Sequence, residues 1–151
     1  MPTPSNYFAA ALPWARLAST LTGVAVPVIL AQWDEEGQGW PPAYNNPGDV
    51  GDPTAAGQTG YATVGAGVQA YANTMLQPDY RAVRAAQGWQ AQAYALGASP
   101  WAASHYGSPP GQALVDIIET NDLLKYDDAP PAPAPAPVES LSEVQIMGFA
   151  K

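Results

Sequence analysis

The pattern of apolar and polar residues between positions 26 and 36 predicts a helix that packs against the core. Four apolar side chains fall at i, i+3, i+4 and i+7, the stripe of one helix face: Val26, Ile29, Leu30 and Trp33. Successive helical residues are rotated by about 100°, so Glu36 lies about 20° from Ile29, whereas Glu35 turns away from the stripe. The pattern therefore predicts a carboxylic acid on the apolar face, at the C-terminal end of the helix.

Helical spacing continues along most of the chain and predicts an all-α fold. A break near Thr22 and Gly23 separates this helix from an earlier one, and Pro27 fits only in its first turn. Further helices are predicted over 64–76, 78–86, 89–97 and from after Pro110 to about Leu124, with a brief helical piece ending near 106. Residues 58–63 alternate in polarity, so β structure is limited to a small hairpin or an extended edge there.

Proline and glycine mark the segments that are not helical. Residues 37–63 are rich in both, and so long a loop in a compact domain is usually either functional or disordered. Alternating proline and alanine predict a stiff spacer over 127–137. Residues 138–151 form a short amphipathic tail, which is either a docking peptide or a disordered end. The expected organisation is therefore a helical domain over 1–126, a linker and a tail.

Composition removes several classes of function. The 151 residues suffice for one domain, and the absence of cysteine rules out disulfides and thiolate metal sites. The single histidine, His105, argues against a zinc enzyme or a Ser/His arrangement, so we expect no metal and no cofactor. A net charge of −8 with only five Lys and Arg argues against nucleic-acid binding. Composition does not exclude binding to a neutral sugar chain, because the aromatic rings of tryptophan and tyrosine can stack on sugars.

We expect neither a secretory signal nor a membrane span. No basic group precedes the apolar run near the N-terminus, and Arg16 lies inside it, unlike in a signal peptide. The apolar stretch 17–31 is shorter than a membrane span and contains Gly23 and Pro27.

The end of the acidic helix has the character of a general acid. A carboxyl on an apolar face is poorly solvated, and the helix C-terminus carries partial negative charge, so both effects raise the pKa of Glu36. The alternative is a frayed, solvated helix end that carries the acids Asp34, Glu35 and Glu36. In the loop that follows, Trp40 is a candidate platform for a sugar ring.

Four segments in order resemble the lysozyme-like peptidoglycan hydrolases carried by phages of Gram-positive bacteria. They are AQWDEEG, YNNPGD, TGYATVGAGVQAYANTM and SPWAASHYG, within residues 24–125. The resemblance implies a lysozyme-like helical domain with a groove for a glycan strand. It also implies action on the bacterial cell wall, after release by lysis or delivery in a virion.

The resemblance also assigns roles to individual residues. Glu36 occupies the position of the catalytic acid. Together with Trp40, the candidate substrate-binding residues are Asn45, Asn46, Tyr61, Tyr71, Trp101 and Tyr106. Glycosidic cleavage often uses a second carboxylate, for which Asp49 is the first choice, with Asp52 and Glu35 as alternatives. With no second carboxylate, the substrate's own hydroxyl or acetamido group would take that role.

Two functions follow from this sequence. The first is a glycosidase that cleaves the peptidoglycan sugar backbone, as a muramidase, a glucosaminidase or a lytic transglycosylase. The second is a non-catalytic glycan-binding or virion structural module with a lysozyme-like fold. In the second case, residues 138–151 would dock on another virion protein.

Overall fold

The computed structural model describes residues 5–36, 39–51, 59–101 and 105–127. Six α-helices lie in these ranges: α1 Ser5–Thr22, α2 Val26–Glu35, α3 Val64–Met75, α4 Arg81–Ala85, α5 Trp89–Gly97 and α6 Gln112–Thr120. Three short 3₁₀ helices accompany them, at Ala43–Asn45, Pro78–Tyr80 and Leu123–Tyr126. No strand occurs within the described ranges, so the all-α prediction is confirmed there, and residues 59–63 form no hairpin.

Helix α2 lies at the centre of the fold. It packs against α1, α5, α6 and the 3₁₀ helix Leu123–Tyr126. The predicted apolar stripe is present, because Ile29, Leu30 and Trp33 are fully buried. Neighbours packed around the helix bury Val28, Ala31 and Gln32 as well, which the stripe alone did not predict. A helix enclosed in this way is fixed in rotation, and so is the residue that follows it.

The predicted break between α1 and α2 is confirmed. Gly23 has φ +81°, a left-handed conformation that glycine adopts readily, and the two helices meet at a bend of 118°. The Gln92 side chain on α5 stabilises the connection. Its Oε1 accepts a hydrogen bond from the N–H of Ala25 at 2.7 Å, and its Nε2 donates to the carbonyl of Gly23 at 3.2 Å. The start of α2 is therefore tied to α5.

Within the described residues, no single helix is both long and apolar enough to cross a membrane. The bent pair formed by Asn6–Thr22 and Val26–Glu35 meets the criterion together, by length and composition only.

The helices after α2 lie close to the predicted positions, but two of the predicted segments differ in conformation. α3, α5 and α6 lie where the apolar spacing predicts them, and Thr63 caps α3 by accepting a hydrogen bond from the N–H of Ala66 at 3.0 Å. The helical segment predicted over 78–86 is present but divided in two, because Tyr80 at φ −110° and ψ 14° separates a 3₁₀ helix from α4. The helical piece predicted to end near 106 is also wrong over the described residues, since 105–111 form consecutive turns.

Seven aromatic side chains form a continuous row through the protein, here called the aromatic row. In order they are Phe8, Tyr7, Trp40, Trp33, Tyr71, Trp101 and Tyr80. Ring centroids of successive members lie between 5.0 Å and 6.2 Å apart. Each such contact contributes about 0.5–1.5 kcal/mol beyond area burial. The aromatic row joins α1, α2 and α3 to the loops that contain residues 40 and 101.

Candidate active site

Glu36 is placed by the end of α2. It has a helical backbone conformation (φ −71°, ψ −12°), and its N–H donates to the carbonyl of Gln32 at 3.0 Å. The side chain points inward, as the helical spacing predicts, and is only 7% exposed. The solvated helix end that was the alternative interpretation of this acid therefore does not describe Glu36.

A buried row of hydrogen bonds leads to the carboxyl of Glu36. The Tyr71 hydroxyl donates to Gln32 Oε1 at 2.6 Å. Gln32 Nε2 donates to the Tyr106 hydroxyl oxygen at 3.1 Å, and that hydroxyl donates to Glu36 Oε2 at 2.5 Å. Tyr71, Gln32 and Tyr106 are all fully buried. The acid is thus held by polar groups that contact protein instead of water.

Tyr106 reaches Glu36 because the turns before α6 hold its backbone in place. Its carbonyl accepts hydrogen bonds from the N–H groups of Gly111 at 3.1 Å and Ala113 at 3.0 Å. Gly107 has φ +94°, and a Cβ there would lie 2.7 Å from the backbone nitrogen of Ala113. Only glycine fits this close approach, so the turn conformation is specified locally.

The pKa of Glu36 is raised above its ordinary value, mainly because burial disfavours the charged form. The hydrogen bond from Tyr106 and the charge of His105 lower the pKa, whereas the charges of Asp49 and Glu35 raise it. Burial outweighs the two stabilising contacts. A carboxyl in this environment keeps its proton at a higher pH than an exposed glutamate, which is what a general acid requires.

His105 lies beside the acid, although it was not among the candidate site residues. Its Nε2 is 3.5 Å from Glu36 Oε2, and its side chain is 51% exposed. Tyr106 therefore contacts this oxygen from the buried side, while His105 contacts it with a solvent-accessible ring. The one signal in the sequence was that His105 precedes Tyr106 in the segment that carries the resemblance.

Asn46 organises the loop that carries Asp49. Its Nδ2 donates to the carbonyls of Val50 at 2.9 Å and Thr59 at 3.0 Å, and its Oδ1 accepts from the N–H of Val50 at 2.9 Å. The side chain is fully buried. This geometry supports a turn-forming role for Asn46, in place of the substrate-binding role that the resemblance implies.

The same loop contains three of the four non-glycine residues with positive φ among the described residues: Tyr44, Asn45 and Asp49. Such conformations are disfavoured for side chains with a Cβ and concentrate at functional sites. The Asn45 side chain donates to the carbonyl of Tyr61 at 2.9 Å, and the Tyr61 N–H donates to the carbonyl of Tyr44 at 2.9 Å. The strained loop is therefore held against residues 59–61.

Close packing seats this loop on α3. A Cβ at Gly67 would lie 1.7 Å from the carbonyl oxygen of Asn45, so helix and loop backbones touch there. On the far side of the loop, the indole N–H of Trp101 donates to the carbonyl of Gly48 at 3.3 Å. The second, third and fourth segments of the resemblance thus meet around one loop.

The aromatic candidates divide into supporting and accessible side chains. Tyr71 and Tyr106 are fully buried, so they hold the site from behind and do not line a surface, contrary to the substrate-binding role expected for both. Trp40, Tyr61 and Trp101 are partly exposed, and Trp40 stacks on Trp33 with centroids 5.7 Å apart.

Tyr44 was missed by the sequence interpretation. It is 59% exposed, and its Cβ packs near Gly60 on the rim of the loop. Its position beside the Asn45 and Asn46 pair was the only available signal.

The possible second carboxylates differ in their surroundings. Asp49 is exposed at φ +50° on the loop, and its charge is near enough to raise the pKa of Glu36. Glu35 is partly buried, and its pKa is raised by burial, lowered by His105 and raised by Asp34. Asp52, the linker beyond residue 127 and the tail over 138–151 lie outside the described residues.

In the described part of the chain, no group of three His, Cys, Asp or Glu side chains is placed to hold a metal ion. No protein-family model, curated protein or solved structure matches this chain. A functional assignment therefore depends on the geometry around Glu36 and on the residues that surround it.

Proposed function

We propose that this protein is a glycosidase that cleaves the sugar backbone of peptidoglycan, with Glu36 as the general acid. The observation that carries the proposal is the state of the Glu36 carboxyl. It is 7% exposed, burial raises its pKa, and Tyr106 holds one of its oxygens at 2.5 Å. A carboxylic acid that stays protonated can give its proton to the leaving oxygen of a glycosidic bond.

Asp49 is the second carboxylate in this proposal. It is solvent-exposed, and its charge is near enough to raise the pKa of Glu36. An exposed carboxylate suits the activation of a water molecule or the stabilisation of positive charge on the sugar ring. If Asp49 proves dispensable, the substrate's own hydroxyl or acetamido group takes its role, and an anhydro product identifies attack by the hydroxyl.

The accessible aromatic side chains of two loops suit a sugar ligand. Trp40 and Tyr44 lie in the segment after α2, and Trp101 lies in the segment after α5. Their rings are partly or largely exposed, and sugar rings stack on such surfaces. The choice of peptidoglycan among glycans is supported by the resemblance of the four sequence segments.

The decisive experiment compares Glu36→Gln with Glu35→Gln on purified peptidoglycan. The two changes are chemically identical and affect adjacent residues. Removal of a general acid lowers rates by about 10²–10⁴-fold, so we expect Glu36→Gln to abolish detectable fragment release while Glu35→Gln retains it. Mass spectrometry of the fragments identifies the bond cleaved and distinguishes reducing from anhydro ends. Asp49→Asn in the same assay tests the second carboxylate.

Two results would contradict the proposal. Fragment release that survives Glu36→Gln would remove Glu36 from the chemistry. Wild-type protein that binds glycan strands but releases no fragment at any pH would instead favour the non-catalytic glycan-binding module.

A further inference from the structure

The peptide unit that joins Gly48 to Asp49 is hydrogen-bonded through both of its polar groups. Its carbonyl oxygen, on Gly48, accepts a hydrogen bond from the indole N–H of Trp101 at 3.3 Å. Its N–H, on Asp49, donates to the carbonyl of Asn46 at 3.2 Å. A peptide unit is planar and turns only as a whole, so these two contacts together fix its orientation.

The next peptide unit, between Asp49 and Val50, is held by the side chain of Asn46. The Val50 N–H donates to Asn46 Oδ1 at 2.9 Å, and Asn46 Nδ2 donates to the carbonyl of Val50 at 2.9 Å. The Cα of Asp49 therefore lies between two peptide planes that are both anchored. Those planes set the direction in which the Asp49 side chain leaves the backbone.

We propose that Trp101 is a positioning residue for Asp49, because its indole N–H anchors the peptide plane that precedes the Asp49 side chain. Asp49 has φ +50°, a conformation that is less populated than negative φ for residues with a Cβ. Anchors on both sides of its Cα favour this conformation. The placement of the side chain depends on this geometry alone, whereas its use as a second carboxylate rests on the proposed function.

Aromatic packing holds the indole ring of Trp101 in place. Its ring centroid lies 5.1 Å from that of Tyr71 and 5.3 Å from that of Tyr80, and both tyrosines are buried. A Cβ at Gly48 would lie 2.5 Å from Cδ2 of Tyr71 and 3.5 Å from Cζ2 of Trp101, so the backbone of Gly48 packs directly on these rings. The N–H of Trp101 is therefore presented to the Gly48 carbonyl by a ring that other side chains fix.

The position of Asp49 matters to the site because its charge acts on Glu36. The charges of Asp49 and Glu35 raise the pKa of Glu36, whereas His105 and the hydrogen bond from Tyr106 lower it. A change in the direction of the Asp49 side chain alters where this negative charge lies. Trp101 thus affects the surroundings of Glu36 through Asp49.

The test is the backbone conformation of Asp49 in Trp101→Phe, measured by NMR. Phenylalanine keeps a ring beside Tyr71 and Tyr80 and removes the indole N–H. At positive φ the amide hydrogen of a residue lies close to its own Hα, so the nuclear Overhauser effect between these two hydrogens is strong. We expect this signal of Asp49 to be strong in the wild type and to lose most of its intensity in Trp101→Phe, because the peptide unit before Asp49 is then able to turn.

Trp89→Phe is the matched control. Trp89 is the first residue of α5 and, like Trp101, is partly exposed, so the same chemical change is made away from the loop. We expect the signal of Asp49 to keep its wild-type intensity in this variant. An unchanged signal in Trp101→Phe would overturn the inference, and so would an equal loss in Trp89→Phe.

Hydrogen exchange of the wild-type protein keeps the inference testable if Trp101→Phe does not fold. The indole hydrogen of Trp101 and the amide hydrogen of Asp49 are both engaged in hydrogen bonds. We expect the indole hydrogen to exchange more slowly than that of free tryptophan, and the Asp49 amide to exchange more slowly than that of an unstructured peptide. Exchange of either hydrogen at the unprotected rate would contradict the anchoring.

Cleavage of peptidoglycan separates a positioning role of Trp101 from a substrate-binding one. Misplacement of a reacting group by about 1 Å costs up to about a hundredfold in rate, so we expect kcat to fall in Trp101→Phe. In an Asp49→Asn background the same substitution should cause no further loss, because both changes act through one carboxylate. A rise in KM of equal size with and without Asp49, at unchanged kcat, would instead assign Trp101 to the substrate and overturn the inference.

The NMR and exchange measurements use no substrate, so this inference and the proposed function can fail separately. A signal of Asp49 that depends on Trp101, in a protein that cleaves no peptidoglycan, upholds the placement and removes the glycosidase assignment. Cleavage that depends on Glu36, together with an Asp49 signal that is unchanged in Trp101→Phe, does the reverse.

Discussion

Replacing Tyr106 with phenylalanine isolates the contact that stabilises ionised Glu36. The hydroxyl donates to Oε2 at 2.5 Å, and the carboxyl side chain is only 7% exposed, so water cannot readily replace the lost donor. A hydrogen bond to a charged group contributes about 1.5–3 kcal/mol, and 1.36 kcal/mol corresponds to a tenfold change in proton affinity. We therefore expect Glu36 to bind its proton roughly ten- to a hundredfold more tightly in Tyr106→Phe.

The sign of this change is visible in the pH dependence of activity. In the proposed function Glu36 acts in its protonated form, so tighter proton binding would extend the active form to higher pH. The alkaline limb of the profile of kcat/KM against pH should shift upward. The variant should also lose about 1–3 kcal/mol of unfolding free energy, because the buried Nε2 of Gln32 loses its acceptor. Denaturant unfolding measures this second effect separately.

Tyr94→Phe is the matched control. The Tyr94 hydroxyl donates to Gln112 Oε1 at 2.9 Å, so this variant also loses a Tyr–Gln hydrogen bond but leaves the contacts of Glu36 in place. It should be destabilised while its alkaline limb stays in place. A limb that is unchanged or moves to lower pH in Tyr106→Phe would refute the conclusion that Tyr106 stabilises the carboxylate.

Two further expectations follow from the same region. The pKa of Glu36 is raised in the folded protein, so the native state binds the proton more tightly than the unfolded chain does. The free energy of unfolding therefore falls as the pH rises from the pKa of glutamate in the unfolded chain, about 4.3, through the folded pKa. Glu36→Gln should therefore be more stable than wild type at pH 7 and about equal to it below pH 4 in denaturant unfolding; lower stability at pH 7 would count against the raised pKa. Gly67→Ala should displace the loop at Asn45 and abolish peptidoglycan cleavage, since its Cβ would lie 1.7 Å from a backbone oxygen, whereas Gly51→Ala meets no atom within 4 Å and should remain active. Normal activity of Gly67→Ala would show that the seating of this loop is unimportant.

The sequence predicted a helix well where an apolar stripe at helical spacing is bounded by a proline at its start or a glycine at its end. α2 and α5 show this best, because Pro27 lies in the first turn of α2 and Gly97 ends α5. The inward direction of Glu36 also followed from spacing, since it depends only on the rotation per residue. Where two short helical segments adjoin, as on either side of Tyr80, spacing cannot locate the change of conformation.

The partners of Glu36 could not be predicted in the same way. Tyr106 lies 70 residues from Glu36, and Tyr71 lies 39 residues from Gln32, so their contacts depend on how the helices pack. The sequence marked Tyr106 as a residue of the site but assigned it to the substrate. The contact of His105 with the acid depends on the same packing, so spacing along the chain did not predict it.

The wide separation of Glu36 from Tyr106 along the chain determines when the surroundings of Glu36 can form during synthesis and folding. The acid emerges early in synthesis, whereas the turns that carry Tyr106 need the N-terminal residues of α6 to hold them. A nascent or truncated chain that ends before Gly111 therefore has the carboxyl without its hydroxyl partner or its neighbouring imidazole in place. The surroundings that hold the Glu36 carboxyl are in this sense a property of the completed fold, and a shorter fragment of the chain would lack them.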